Sequence, residues 1–423
     1  MDGKLQKKGI TMAEKTGQKR NTGKCRYAEQ CGGCTYQGVH YKEQLQKKQK
    51  YIEELLKDFG HVEPILGMAH PECYRNKVHH GFTKDRSGNI ISGPYEAGSH
   101  WIIDVKHCGI EDKKCQEVAE TVRRLCRKLK VPVYNEKTGN GVMRRVLVRR
   151  GFATGEVMVV LVVGSPKFSA KRKFAAELAA RHPEIVTIIS NLNDKHTSMI
   201  LGDREEVLLG DGYIHDILCG KTFRISSKSF YQVNPVQTEV LYRTALDFAG
   251  LTGKETVIDA YCGIGTIGIC AADAARSVIS VELNPDAVRD AKANAAANHI
   301  NNMRFFTADA GEYMKQLAAQ GQRADVVFMD PPRSGSTIRF MRAAMRLGPR
   351  NIVYISCGPE SLAGNLKFFR ENGYEVCKIQ PVDMFPFTRH VETVCLLSKL
   401  SEAKHSIDVK LDMDELDVTT ADK

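Results

Sequence analysis

From about residue 240 to residue 400, short apolar runs alternate with helical stretches, and this alternation leaves few folds open. The runs are TVIDAY (256–261), VISVEL (278–283), MRFFTA (303–308), DVVFMD (325–330), NIVYIS (351–356), YEVCKI (374–379) and TVCLLS (393–398). Between them PDAVRDAKANAAANH, EYMKQLAAQ, TIRFMRAAMRL and ESLAGNLKFFREN read as helices. Repeated strand–helix units build a doubly wound parallel sheet, because a parallel return needs a crossover that packs on the sheet face. No clear helix joins the last two runs. The final strand is therefore expected in a terminal antiparallel hairpin.

A chain of 423 residues is too long for one ordinary core, so further domains are expected before this sheet. Residues 1–24 carry seven Lys/Arg against two acids and read as a disordered basic tail. Residues 25–225 form a second domain, in which RRVLVRR (144–150), VMVVLVVG (157–164) and IVTIIS (185–190) alternate with Gly and Asn/Asp turns, a β-rich α+β pattern. Within it, Tyr41 to Phe59 places Leu45, Ile52, Leu55 and Leu56 on one side of a helix that is free to pack on the sheet domain. Residues 226–400 form the sheet domain, and 401–423, with three Lys against seven acids, a disordered acidic tail. The overall charge of +11 suits a polyanionic partner such as nucleic acid. No apolar run is long enough to span a membrane, and the Lys-rich start lacks the apolar core of a secretory signal, so a cytoplasmic protein is expected. In that compartment thirteen cysteines serve metal binding, catalysis or packing rather than disulfides.

The first strand of the sheet domain ends in Asp259-Ala-Tyr-Cys-Gly-Ile-Gly-Thr-Ile-Gly268. Gly263, Gly265 and Gly268 let the chain turn sharply and approach a ligand before a helix starts, and they match a dinucleotide fingerprint. Glu282 ends the second strand, where a carboxylate accepts from both ribose hydroxyls of an adenosine. Asp309, after the third, can reach an adenine amino group or cap the helix that follows. These positions serve NAD and S-adenosylmethionine alike. The fourth strand, ending Asp330-Pro-Pro-Arg-Ser-Gly335, decides between them. Nicotinamide chemistry has no use for a stiff acid-Pro-Pro element, whereas in nucleic-acid methyltransferases such an element faces the methyl donor and the target base. A class I S-adenosylmethionine-dependent methyltransferase sheet, Rossmann-like, is the expected fold.

The fifth strand runs into Ser356-Cys357-Gly358-Pro359, placing a thiol beside Asp330 at the strand ends. Carbon 5 of a pyrimidine is not nucleophilic, and a thiolate that adds to carbon 6 makes it so. A base must then take the carbon 5 proton so that the thiol can leave. Cys357 is the candidate nucleophile and Glu392, in Phe387-Thr-Arg-His-Val-Glu392-Thr, the candidate base, with His390 as runner-up. Cys262, Cys270, Cys377 and Cys395 lie in or beside apolar segments and read as packing. Arg333 and Arg389 are candidate phosphate or base contacts.

The ordered set Ser229-Phe-Tyr-Gln232-Val-Asn234, DAYCGIGTIG, the DPPRSG stretch, ISCGP and FPFTRHVET resembles the bacterial RNA (uracil-5-)-methyltransferase family over roughly residues 220–400. The resemblance implies Cys357 as nucleophile and Glu392 as base. It also implies that Gln232, Tyr261, Glu282 and Asp330 contact S-adenosylmethionine, with Asp309, Gly263 and Gly265 beside them. Cys25-x5-Cys31-Gly-Gly-Cys34 gathers three thiols in a loop that can fold back, as Zn and iron–sulfur sites require. Spacing leaves the fourth ligand open among Cys73, Cys108 and Cys115. The resemblance implies a 4Fe–4S cluster with Cys108 as the fourth, folding the β-rich domain and shaping an RNA surface rather than exchanging electrons. Many members carry a β-barrel before this motif, for which 24 residues are too few, and the basic tail stands in as the expected substitute. The expected enzyme is a monomer that forms 5-methyluridine in 23S ribosomal RNA. The alternatives are the same chemistry on the T-loop of transfer RNA, a nicotinamide-dependent iron–sulfur oxidoreductase, and an RNA-binding protein of this fold without activity.

Overall fold

The computed structural model describes residues 25–195, 197 and 199–400, so the two tails expected at the termini lie outside the described residues. The chain opens with α1 (Ala28–Cys31) and α2 (Tyr41–Leu56), then β1 (Lys77–Lys84), β2 (Ile90–Gly93), α3 (Lys113–Lys128), β3 (Met143–Arg150), β4 (Val157–Val163), α4 (Lys171–Ala179), β5 (Ile185–Leu192) and β6 (Arg204–Leu209). A hairpin, β7 (Tyr213–Leu218) and β8 (Lys221–Ser226), leads into α5 (Pro235–Ala249). The second half runs β9 (Thr256–Ala260), α6 (Thr266–Ala271), β10 (Ser277–Glu282), α7 (Pro285–Ala297), β11 (Met303–Thr307), α8 (Ala310–Ala319), β12 (Val326–Met329) and α9 (Ile338–Arg346). It closes with β13 (Asn351–Ser356), α10 (Pro359–Glu371), β14 (Tyr374–Val382) and β15 (Glu392–Lys399). Among the described residues no helix is long and apolar enough to cross a membrane.

The seven-stranded sheet has the order β11-β10-β9-β12-β13-β15-β14. Its first five strands are parallel, and β15 inserts antiparallel between β13 and β14. One face packs on α5 and α6 through Leu241, Ala245, Ile267 and Ile269; the other packs on α8, α9 and α10 through Met314, Phe340 and Leu366. The six-stranded sheet, β2-β1-β3-β4-β5-β6, is also covered on both faces, which explains why the β4 sequence VMVVLVV is apolar throughout. Val157, Val159, Leu161 and Val163 face α3 and α4, while Met158, Val160 and Val162 join the core that includes the seven-stranded sheet. The cores of the two sheets are thus continuous.

Helices α3 and α4 cover the six-stranded sheet, in keeping with a β-rich α+β pattern. Two details depart from the sequence reading. Cys377 is exposed rather than packed, because a bulge between Val376 and Lys378 takes it out of register with β15. The face of α2 that is buried consists of Gln44, Lys48, Ile52 and Leu56, and Leu45 is only half-buried. Ile52 and Leu56 join the core of α8, α9 and α10, so α2 belongs to the seven-stranded sheet's layer although it precedes the other domain in sequence. The chain then runs beside β14, with Glu63 N donating to Ile379 O (2.9 Å) and Leu66 N to Pro381 O (3.0 Å).

The polar half of α2 is buried because it meets charge. Lys48 Nζ lies 2.5 Å from Asp383 Oδ1 with both side chains fully buried, and it also donates to Phe385 O at 3.1 Å. Tyr41 Oη donates to the other oxygen, Asp383 Oδ2, at 2.7 Å. A buried carboxylate that loses its cation is left uncompensated. Lys48→Met is therefore expected to cost about 3–5 kcal/mol of stability in urea unfolding. The double variant Lys48→Met/Asp383→Asn should cost less than the sum of its single changes. Additive losses would show that the two groups do not act as a pair.

Candidate active site

The strand registers bring the site together. Ser356 pairs with Thr393 and Ile355 with Val394 across β13 and β15, so the next step outward sets Cys357 opposite Glu392. Met329 and Val281 both pair with Ala260, so Asp330 and Glu282 come abreast of Tyr261 on either side of β9. All of these positions fall at the carboxyl ends of the parallel strands, where open α/β sheets bind their ligands.

The turn after β9 is strained toward a ligand. Tyr261 has φ +65°, uncommon for a side chain of its size, and its ring packs on Phe340 at 5.0 Å between centroids. Its hydroxyl lies 3.2 Å from Ser336 Oγ. Gly263 N donates to Glu282 Oε2 at 3.1 Å, and Asn284 N to Glu282 Oε1 at 2.8 Å, which fixes the carboxylate. The glycines have separate causes. A Cβ at Gly263 would meet nothing, so the chain there is open to a close-lying ligand; one at Gly268 would come 2.7 Å from Asp259 Oδ2. Gly265 starts α6 in the left-handed conformation, φ +85°. Asp309 is exposed and caps α8 by accepting from Glu312 N at 3.0 Å, yet its charge still reaches Tyr261. Gln232 is half-buried in the segment before α5, its carbonyl accepting from Asn76 Nδ2 at 3.3 Å.

Charge at the site is dominated by carboxyls. Glu392 is 3% exposed; burial, and then the charge of Asp330, push its carboxyl up to about 8, against the pull of Arg333. Burial pushes Asp330 up to about 7. Burial, followed by the charges of Asp330 and Glu282, also leaves Asp259 at about 7, although Gly268 N donates to it at 2.9 Å. Cys357 is half-buried, and burial, then Glu392 and Asp330, push its thiol up to about 11 while Arg333 opposes them. Cys357, Glu392, Asp330 and Arg333 are therefore within electrostatic reach of one another. His390 instead bonds Arg333 (3.1 Å), and burial with the cations Arg333, Arg389 and Lys48 holds its imidazole low. Arg389 is exposed.

Sequence reasoning missed the holding of the 383–391 loop, which carries the chain into Glu392. Asn234 Nδ2 donates to Met384 O (2.9 Å), Gln237 Nε2 to Asp383 O (3.1 Å), Tyr74 Oη to Pro386 O (3.0 Å) and Tyr36 N to Phe387 O (2.9 Å). The one signal was Asn234-Pro235, a helix cap. Phe230, 67% exposed two residues before Gln232, was also passed over.

The N-terminal thiols lie beside this loop. Cys34 and Cys108 pack with Phe387 around Met68, Tyr74 and Ile110. Burial raises the Cys34 thiol, Gln37 opposes it, and the charges of Cys31 and Cys25 raise it further. Cys108, raised to about 12 by burial and Glu111, also feels Cys34. Cys73 is raised by burial and then by Glu72 and Asp112 against Lys113, and Cys115 is fully buried with its sulfur on Asn76 O at 3.6 Å. Among the described residues no three His, Cys, Asp or Glu side chains stand close enough, as placed, to hold a metal ion. Cys25, Cys31, Cys34 and Cys108 are each half-buried, and Gly32, between Cys31 and Cys34, takes φ +62°.

Comparison with known proteins shows the family. Residues 192–400 match the family model described as tRNA (Uracil-5-)-methyltransferase. An uncharacterized RNA methyltransferase of Bacillus cereus is 40% identical over 388 residues, covering 90% of this chain and 84% of that protein. Another from Halalkalibacterium halodurans is 42% identical over 378 residues, 88% of this chain and 82% of the relative. The crystal structure of Pyrococcus abyssi tRNA (uracil-54, C5)-methyltransferase in complex with S-adenosyl-L-homocysteine superposes with a TM-score of 0.73 at 28% identity, covering 86% of this chain and 85% of that one. With such relatives across nine tenths of its length, and a family model that ends with β15, the chain belongs to the RNA (uracil-5-)-methyltransferase family.

Proposed function

We propose that the protein methylates carbon 5 of a uridine in RNA through a covalent adduct between Cys357 and carbon 6. The observation that carries this is the β13–β15 register, which sets a half-buried thiol opposite a fully buried carboxyl. Cys357 attacks the base, and Glu392, as carboxylate, takes the carbon 5 proton after methyl transfer so that the thiol can leave. Arg333 favours the thiolate and stands where it can accept charge developing on the ring. S-adenosylmethionine supplies the methyl group, with Gln232, Tyr261, Glu282 and Asp330 as its contacts and Asp309, Gly263 and Gly265 lining the turn. The carboxyls fit this cofactor: burial raises Asp259, Asp330 and Glu392, and a sulfonium cation beside them would favour their ionised forms.

Cys25, Cys31, Cys34 and Cys108 are the proposed ligands of a 4Fe–4S cluster, supported by the mutual influence of their thiols and by the sequence resemblance. That cysteine segment also favours 23S ribosomal RNA as substrate. The specific ground for the second reading, the T-loop of transfer RNA, is the solved relative that acts on that RNA. Mapping 5-methyluridine in both RNAs from a deletion strain separates them, and loss from neither would reject both.

Cys357→Ala should form neither product nor adduct, and Glu392→Gln should accumulate the adduct on denaturing gels; methylation by Cys357→Ala would overturn the mechanism. Because the Glu392 charge raises the thiol, Glu392→Gln should move the midpoint of Cys357 alkylation by iodoacetamide below that of the native protein. An unmoved midpoint would separate the two groups. Protein purified without oxygen should be brown, with iron and sulfide in equal amounts, and Cys108→Ser should bleach it while Cys73→Ser does not. A colourless protein holding one zinc would replace the cluster with a zinc site.

A further inference from the structure

The six-stranded sheet carries a cluster of cations with no anion to match. Lys77 pairs with Arg149 and Gly81 with Arg145 across β1 and β3, so Lys77, His79, Arg145 and Arg149 alternate onto one sheet face. Arg149 is 1% exposed, and its terminal nitrogens donate to Ser226 O and Ser229 O, both at 3.1 Å. Among the described residues its Nε, the Nε of Arg145 and Nδ1 of His79 are buried without a hydrogen-bond partner. The half-buried Lys77 ammonium likewise makes no hydrogen bond or ion pair among the described residues. Burial, then the charges of Arg149 and Arg75, push it down to about 7. Burial and these same cations push His79 well below its ordinary value.

The neighbouring carboxylates are already committed. Glu111 lies 3.2 Å from His80, and Asp112 accepts from Arg150 at 2.9 Å. Asp290 accepts from the hydroxyls of Ser226 and Ser229, both at 2.9 Å. An unpaired buried donor is costly, and four gathered donors and cations persist in a fold only where something outside the chain completes them. The position indicates what that is. Asn76, next to Lys77, donates from its backbone to Val233 O (2.8 Å) and from its side chain to Gln232 O (3.3 Å), so the cations border the segment assigned to the cofactor.

We propose that Lys77, His79 and Arg149, with Arg75 beside them, form a phosphate site that takes a backbone phosphodiester of the RNA next to the target uridine. The inference rests on the RNA reading above and adds an anchor that aligns the strand with Cys357. Lys77 is the reachable member, and Arg149, paired across from it on β3, holds the lead-in to α5.

The test uses a fluorescein-labelled oligouridylate, with Cys357→Ala as the background so that no adduct forms. Adding Lys77→Met should weaken binding several-fold and reduce the slope of log Kd against log salt by about 0.7, the share of one phosphate on a single strand. Lys77→Arg should restore both. The same oligonucleotide with a methylphosphonate backbone should bind the two proteins equally. Inorganic phosphate competing at low millimolar concentration, with no effect of the backbone change, would instead make it a free-phosphate site and overturn the proposal. The melting temperature of Lys77→Met should not fall, since an uncompensated cation is removed, and S-adenosylhomocysteine should bind as before. An unchanged affinity and salt slope overturns the site even if the enzyme methylates RNA. A reduced slope without 5-methyluridine formation by the native enzyme sinks the catalytic reading and keeps the phosphate site.

Discussion

Everything at the active site depends on where β15 lies. A doubly wound parallel sheet collects ligand-binding groups at one end of its strands, but β15 enters from that end and runs the opposite way. Its first residue is therefore delivered to the end at which β13 leaves off. The hydrogen-bond ladder thus places Glu392 against Cys357 without any long side chain having to reach. The 383–391 connection fixes the approach, and Phe387 there takes φ +65°. Such a backbone persists only when its surroundings over-determine it. Here they do, through Tyr36, α2, Tyr74 and α5, all well over a hundred residues before the loop in sequence.

The electrostatics of the site follow from its burial. Carboxyls that titrate near neutrality can change protonation within a catalytic cycle, and an ordinary exposed glutamate cannot serve that purpose as well. The same burial suppresses the thiolate of Cys357, so the proposed nucleophile and the proposed base oppose each other's ionised forms. Arg333 is the group that acts on both in the favourable sense, lowering the carboxyl and the thiol alike.

The sheet and its strand-end residues were legible because the parallel strands are short, apolar and followed by Gly, Pro or Asp. Cys357, Asp330 and Glu282 sit at such boundaries, and Glu392 opens the antiparallel strand beside them. The packing of α2 on the sheet domain was open to the sequence, but the face it uses was not, since apolar periodicity treats Lys48 and Gln44 as solvent-facing. Their burial depends on Asp383 and Phe387, more than 300 residues away. Cys377 reads as packing because a bulge leaves no mark in composition. Asp309 could be read as a cap or a cofactor contact, and the hydrogen bond to Glu312 N accounts for the first. The cations of β1 and β3 were invisible for a similar reason: the sequence shows charges, but not which of them lack partners.

The strand-like segment at 60–67 has a consequence for how the molecule can be divided. It lies along β14, the last strand of the seven-stranded sheet, and satisfies backbone groups that would otherwise form a bare edge. A cut at residue 226, where the sequence places the domain boundary, would strip away that cover together with α2 and the cation for Asp383. The catalytic sheet is thus a unit in space but not a stretch of sequence. It is closed by a segment made more than three hundred residues before its last strand, and it must keep that segment until the strand has been made.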